Sequence, residues 1–256
     1  MRRLRIDCRG SRAAGRGRAT WFPPCASGSL AGTLAMTILL FACLNPAVAA
    51  PAPATACFPL ARLKYSGGGD WYAGPTMLPN LAARLRTDLG MNVCSEIRVV
   101  EPLSAGLYET PVLFMTGHGR VAFSPEERRA LKAFLERGGL LFADDNYGLA
   151  PSFRAEMDTL FPRTPLRALP VSHPVFSSHH RFPRGLPKIH RHDDKPPVAY
   201  GIERDGRVMV LFTHESDLGN GWEDGDVHGV PQALREQALR MGVNVFAWFL
   251  QGARVR

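Results

Sequence analysis

Dense runs of lysine or arginine are missing from the sequence after residue 50. The chain of 256 residues has a formal net charge of +8, from 31 basic and 23 acidic residues. Residues 1–50 hold seven arginines and one aspartate, which leaves 24 basic and 22 acidic residues in the rest. A nearly neutral remainder excludes a basic surface that follows a phosphate backbone, so we expect no nucleic-acid partner.

An apolar run long enough to span a bilayer comfortably is also missing. The apolar stretch of the leader, residues 30–44, has 15 residues, whereas a spanning helix needs about 20. It follows an arginine-rich segment and precedes small residues at 47–50, which is the three-part pattern of a secretory signal peptide. We therefore expect cleavage after Ala49 or Ala50, with an uncleaved membrane anchor as the alternative.

This pattern predicts how the chain is organised. Residues 1–50 form the signal peptide or membrane segment, residues 51–57 form a linker rich in proline and alanine, and residues 58–252 form one domain. The domain is expected to be exported, periplasmic or extracytoplasmic, and to contact the membrane only through the N-terminal segment.

Cysteine is scarce. Of five cysteines, three lie in the leader, and only Cys57 and Cys94 remain in the domain. In an oxidising compartment these two can pair. Two free thiols, with Cys94 in the core, are the equally open alternative. The sequence has no Cys-x-x-Cys or Cys/His spacing of the kind that predicts structural zinc.

The sequence also lacks the signatures of familiar nucleophiles. It contains no Gly-x-Ser-x-Gly elbow. The Gly67-Gly68-Gly69 segment lacks the Lys-Ser/Thr pair that completes a phosphate-binding loop. Neither domain cysteine lies at a predicted tight strand-to-helix turn. Covalent catalysis by serine or cysteine is therefore not expected.

What the domain does contain is an alternation of strand and helix patterns. Continuous apolar runs predict buried parallel strands, and apolar residues at helical spacing predict helices between them. Ser124, Pro125 and Glu127 form a predicted capping box. Consecutive strand, helix and strand give a right-handed βαβ unit, so the fold class is α/β with a mostly parallel sheet. The predicted strands are 58–65, 97–100, 111–116, 140–143 and a β-hairpin of 198–203 with 208–213; the predicted helices are 77–89, 125–137, 153–161 and 231–250.

Polar segments follow the predicted strands at their carboxyl ends, where open α/β sheets bind ligands. Three such segments are 66–70, 117–119 and 144–146, and the hairpin adds 213–217. We therefore expect a functional site at this edge. The candidate ligand-binding residues are Gly67, Gly68, Gly69, Asp70, Trp71, Glu215, Asp217 and Trp222.

Each candidate has a functional and a structural interpretation. The three glycines can cradle an anion or form a plain turn. His118 can act as a base or metal ligand, or be a hydrogen-bonded structural histidine. Asp144 and Asp145 are candidate catalytic residues, although one of them can cap the following turn while the other faces the cleft. Trp222 can stack on a ligand such as a sugar, or anchor its loop.

His190 and His192 are the candidate metal ligands. In an extended segment, residues two apart lie on one face, so both imidazoles can reach one divalent metal ion. His-x-His is also a short pattern that occurs by chance, and a solvated loop is the alternative.

At these same residues the sequence resembles a bacterial family, domain of unknown function 4159. The longest matching stretch is 61–72, which includes Tyr65-Ser66-Gly67-Gly68-Gly69-Asp70. Further matching stretches are 117–119, 138–145, 185–190, 215–219 and 221–223, so the likeness covers about residues 58–250.

The resemblance implies a three-layer, flavodoxin-like fold similar to class I glutamine amidotransferase-like domains. Those enzymes carry a cysteine after the strand that here ends in Asp144-Asp145, so the resemblance does not imply glutaminase activity. It does imply a cell-envelope role, with partners associated with a MoxR-type ATPase and von Willebrand A-type proteins. We expect a non-catalytic binding module; the alternative is a metal-assisted hydrolase acting on a glycan or other envelope component, with His118 or Asp145 as base.

Overall fold

The computed structural model describes residues 56–254. The expected leader and most of the expected linker lie outside the described residues, and so do the predictions that concern them. Within 56–254, no helix combines the length and apolar character that crossing a membrane requires. The strands are β1 (Phe58–Leu63), β2 (Val93–Val100), β3 (Val112–Gly117), β4 (Leu140–Asp145), β5 (Arg167–Ala168), β6 (Val198–Arg204) and β7 (Arg207–His214), and the helices are α1 (Met77–Leu89), α2 (Pro125–Glu136), α3 (Ala150–Leu160), α4 (Leu218–Trp222) and α5 (Gln232–Arg254).

The seven strands form one sheet in the order β2-β1-β3-β4-β7-β6-β5. Strands β2, β1, β3, β4 and β7 run parallel. The predicted hairpin of β6 and β7 is antiparallel, and the short β5 extends it at the edge. The carboxyl ends of β1, β3, β4 and β7 therefore lie side by side.

Two hydrophobic clusters cover the two faces of the sheet. One joins α1, α4 and α5 to alternate strand residues such as Leu60, Phe114 and Phe142. The other joins α2 and α3 to the intervening residues, such as Ala61 and Leu113. Side chains alternate across a strand, so a strand buried on both faces must be apolar throughout. The domain is a three-layer α/β fold of the flavodoxin-like type, as predicted.

Local signals set the helix ends. Helix α1 has the predicted bounds and ends at Gly90, whose φ of 62° is a left-handed conformation that favours glycine. The predicted capping box at α2 is present, since the Ser124 hydroxyl accepts from the Glu127 N–H and the Glu127 carboxylate accepts from the Ser124 N–H.

Several predicted bounds were wrong. Strand β2 begins at Val93 instead of residue 97. Its first residues were missed because the strand lies at the sheet edge, where several side chains are exposed and polar. Strand β4 includes Asp144 and Asp145, which the prediction placed after it. The buried helix α4 lies between the predicted hairpin and the predicted helix 231–250, where no helix was predicted.

Cys57 and Cys94 form a disulfide. Phe58 is the register partner of Val93 in the parallel pair of β1 and β2. Cys57 and Cys94 are each one residue from this partner pair, and their Cα atoms lie 4.9 Å apart. Of the two alternatives left open by the sequence, the paired one is present.

Candidate functional site

Asp144 and Asp145 lie at the centre of the carboxyl edge of the sheet. In the parallel register, Thr116 and Gly117 of β3 are the partners of Asp144 and Asp145, and Thr213 of β7 is the partner of Asp144 on the other side. The segments that follow these strands are therefore neighbours, which is the convergence that the sequence predicted.

Asp144 is fully buried. One carboxylate oxygen lies 2.5 Å from the Thr213 hydroxyl, and the other accepts from the Gly219 N–H at 2.8 Å. Burial raises the pKa of Asp144 to about 7. The Thr213 hydroxyl also lies 3.3 Å from the Ala143 carbonyl, so a protonated Asp144 can donate to Thr213 while Thr213 donates to Ala143. Asp144 has no exposed surface in this structure, and its predicted catalytic role stays a prediction.

Asp145 performs the capping that was predicted for one of the pair. Its carboxylate accepts from the Leu149 N–H at 2.9 Å, ahead of α3. The other oxygen lies 3.5 Å from Nε2 of His214. Burial raises the pKa of Asp145 and lowers the pKa of His214. Asp145 is 4% exposed, so it acts mainly as a structural cap that borders the site.

The glycine-rich loop folds across residues 118–122. The Gly69 N–H donates to the Arg120 carbonyl at 2.9 Å, and the Asp70 N–H donates to the His118 carbonyl at 3.3 Å. A Cβ atom on Gly67 or Gly69 would approach backbone atoms of that segment to 2.6 and 2.8 Å. The Gly69 N–H is thus used inside the protein, and the loop carries Asp70 to His118; the anion cradle of the three glycines stays a prediction.

Asp70 clamps His118. One carboxylate oxygen accepts the His118 backbone N–H, and the other lies 2.9 Å from Nδ1 of the ring. Glycine is required at the neighbouring Gly117, whose φ is 138° and whose Cβ would meet the Tyr65 hydroxyl and an Asp70 oxygen. Half of the His118 side chain remains exposed.

His190, His192 and Asp217 come together beside this pair. Nε2 of His192 lies 3.1 Å and Nδ1 of His190 lies 4.0 Å from the same Asp217 oxygen. The ring of Tyr147 stacks on His192 with centroids 4.4 Å apart. Burial lowers the pKa of His192, and the nearby His190 and His118 lower it further. The two predicted metal ligands therefore share a third candidate, which the sequence analysis had assigned to ligand binding.

Asp217 has an unusual local environment. Its carboxylate is 3% exposed. Burial first, and then the charges of Asp144 and Asp145, raise its pKa to about 8. Its backbone is left-handed, with φ 58°, and so are Glu215 at 61° and Tyr147 at 82°. Left-handed non-glycine residues are strained and gather at functional sites.

Glu215 forms an ion pair with Lys188, a residue that the sequence analysis missed. Its carboxylate lies 2.8 Å from Nζ of Lys188 and 3.9 Å from Nε2 of His214. Both members of the Lys188–Glu215 pair are largely buried. Single residues such as Lys188 and His214 carry no spacing signal, so only the fold reveals them.

Buried oxygens without a hydrogen-bond partner also gather at this edge. Within residues 56–254 such side-chain atoms belong to Thr110, Thr116, Asn146 and Asn220. Thr116 pairs in register with Asp144, Asn146 follows Asp145, and Asn220 lies in α4 beside Gly219. Buried polar groups are nearly always satisfied, so these three oxygens are candidates for hydrogen bonds to water or to a ligand.

The two predicted aromatic candidates lie elsewhere. Trp222 is fully buried against Phe114 and Phe142, and its indole N–H donates to the Ala238 carbonyl at 2.8 Å. No ring face is left for a ligand, so Trp222 anchors its segment. Trp71 packs edge-on against Tyr72, and Lys64 lies over its ring.

Arg62 and Glu223, which the sequence analysis missed, position these segments. Arg62 is buried and donates to the carbonyls of Trp71, Ala73 and Gly74. Glu223 accepts from the Thr76 and Met77 N–H groups at the start of α1, at 3.0 and 2.9 Å.

Fold and site together define a three-layer α/β domain with a histidine- and carboxylate-rich site at the carboxyl edge of its sheet. The sequence matches the family model described as Domain of unknown function (DUF4159) over residues 59–250. The chain therefore belongs to this family, as the resemblance predicted. A comparison with curated proteins found no match.

Proposed function

We propose that this protein is an exported cell-envelope binding module, whose ligand occupies the carboxyl edge of the sheet. The observation that carries the proposal is the convergence of the Asp70–His118 pair, the His190–His192–Asp217 cluster and the Lys188–Glu215 pair at one edge. These groups offer donors, acceptors and both signs of charge. Half-exposed His118, His190 and Tyr147 keep the edge open to solvent.

Two observations support export. The leader has the pattern of a secretory signal peptide, cleaved or retained as an anchor. The Cys57–Cys94 disulfide suits an oxidising compartment, because reducing compartments keep such thiols free. Envelope proteins associated with a MoxR-type ATPase and von Willebrand A-type proteins are the proposed partners.

The residues at the position of the amidotransferase cysteine also support a binding role. If the domain shares its ancestry with class I glutamine amidotransferase-like domains, the strand that precedes their cysteine elbow corresponds to β4. Here β4 ends in Asp144 and Asp145, and both carboxylates are engaged in hydrogen bonds of the fold. Glutaminase chemistry therefore has no attacking group at this position.

Thermal-shift measurements test the proposal with the full-length chain. Soluble cell-wall glycan fragments and purified envelope proteins serve as probes. We expect one of them to raise the melting temperature of the wild type but not of Lys188→Ala or Tyr147→Ala. Arg204→Ala is the matched control, because Arg204 pairs with Glu136 at the hairpin turn. A shift that is equal in all variants, or no shift with any probe, contradicts the proposed site.

The second candidate function is a metal-assisted hydrolase acting on a glycan or other envelope component. The observation that favours it is the Asp70–His118 pair, which leaves the second ring nitrogen of His118 free to accept a proton from water. Hydrolysis of cell-wall fragments by the wild type, lost in His118→Ala while glycan binding persists, would establish catalysis. If the fragments remain intact after prolonged incubation, the hydrolase is contradicted and the binding module remains the proposed function.

A further inference from the structure

We propose that His190, His192 and Asp217 bind one divalent transition-metal ion, most suitably zinc, with an exchangeable fourth position. The proposal rests on the proposed binding function, because it names a ligand of the same site. Each of the three residues offers one donor atom, and these atoms all lie within 4.8 Å of one another.

The distances suit a tetrahedral ion. Bonds of about 2.0–2.2 Å place neighbouring donors of a tetrahedral zinc site roughly 3.3–3.6 Å apart. The two imidazole nitrogens lie 3.1 and 4.0 Å from the Asp217 oxygen, which brackets this range. A small rotation of the half-exposed His190 ring is enough to close the longer distance. Two nitrogens and one carboxylate oxygen are a donor set that zinc commonly takes.

The surroundings of Asp217 also point to a cation. A buried carboxylate is costly unless hydrogen bonds or an opposite charge compensate it. The ion-pair partners of Asp217 within the described residues are the two histidines. A divalent ion would supply the opposite charge that an ionised, buried Asp217 needs.

The fourth position is open on the solvent side. His190 is half exposed, whereas Asp217 is buried, so the three protein donors cover one side of the ion. Three protein ligands with an open position are typical of zinc sites that bind water or a substrate. An envelope ligand with a carboxylate or phosphate oxygen can occupy that position.

A second histidine-aspartate cluster provides a contrast. Asp88, His179 and His180 also lie close enough for one ion. There, however, Nε of Arg84 lies 2.8 Å from the same Asp88 oxygen that contacts His180. The guanidinium already supplies the positive charge, so this cluster is an ion-pair network and serves as the matched control.

Zinc titration of the full-length chain, without affinity histidines and after chelator treatment, tests the proposal. Calorimetry should show one zinc ion per chain. His190→Ala and His192→Ala should each weaken binding at least about tenfold, because changing only an outer-shell partner of a metal ligand already costs about that much. Asp217→Asn, which suits the left-handed backbone, should do the same. His179→Ala should bind like the wild type, and circular dichroism should show that all variants are folded.

The outcomes separate this proposal from the proposed function. No zinc bound by the wild type, unchanged affinity in both histidine variants, or an equal loss in His179→Ala would overturn the metal site. If the chain binds an envelope probe but no zinc, the proposed binding function stands and the metal site does not. A chain that binds zinc through these residues, yet no envelope probe, would retain the metal site alone.

Discussion

The carboxylate of Asp70 holds His118 at two points, the backbone N–H and the ring nitrogen Nδ1, the latter at 2.9 Å. A carboxylate only accepts, so in the neutral imidazole Nδ1 carries the ring proton and Nε2 has the lone pair. The pair exists because the glycine-rich loop folds across residues 118–122. The glycine-rich loop, part of the longest stretch that resembles the family, therefore holds Asp70 against His118.

Asp70→Ala is expected to release the His118 ring. Nitrogen NMR of the neutral imidazole should show the Nδ1–H tautomer in the wild type and a shift toward Nε2–H in the variant. Losing a hydrogen bond to a charged group should also cost about 1.5–3 kcal/mol of unfolding free energy. Asp158→Ala, an exposed position on α3, is the control. An unchanged tautomer in Asp70→Ala would show that the carboxylate does not orient the ring.

The layered fold could be predicted because its signals are local. Helix α1 has apolar residues at helical spacing and a glycine stop, and the apolar runs of β3 and β4 mark strands buried on both faces. Helix α4 could not be found in this way, since five residues with two glycines show no period. The start of β2 was missed because an edge strand needs no continuous apolar run.

The location of the candidate site in the sheet could be predicted from the sequence, but the arrangement of its side chains could not. Strand ends indicated the edge at which the candidate residues lie, and His118, His190 and His192 were named there. The third candidate metal ligand depends on the left-handed backbone of Asp217, which no sequence pattern reveals. The burial of Trp222 depends on contacts with strands more than 70 residues away in sequence.

Trp222 is expected to contribute to stability instead of ligand stacking. Trp222→Ala should lower the free energy of unfolding by about 3–5 kcal/mol, since it removes a fully buried ring from the core. Tyr72→Ala, at a residue 65% exposed, should change it by less than about 0.5 kcal/mol. Urea unfolding measures both. Near-native stability of Trp222→Ala, combined with loss of ligand binding, would restore the stacking role.

The disulfide should stabilise the domain through the unfolded chain. Cys57 and Cys94 are 37 residues apart in sequence, and a crosslink closing such a loop contributes about 2–4 kcal/mol. The double variant Cys57→Ser/Cys94→Ser should lose this amount in urea unfolding under oxidising conditions. With a reducing agent present, the wild type should unfold like the double variant. A reductant that leaves the wild type unaffected would contradict the linkage.

Asp144 should make the metal-free domain less stable as the pH rises. Burial raises its pKa to about 7 in the folded state, against about 3.9 in an unfolded chain. Between these values the folded state binds more protons, so the free energy of unfolding falls by up to about 1.4 kcal/mol per pH unit. Asp144→Asn mimics the neutral acid, since its amide can donate to Thr213, and should show a flatter profile from pH 4 to 7. Urea unfolding across that range compares the two. Parallel profiles would mean that Asp144 stays ionised, held by the Leu218 and Gly219 N–H groups.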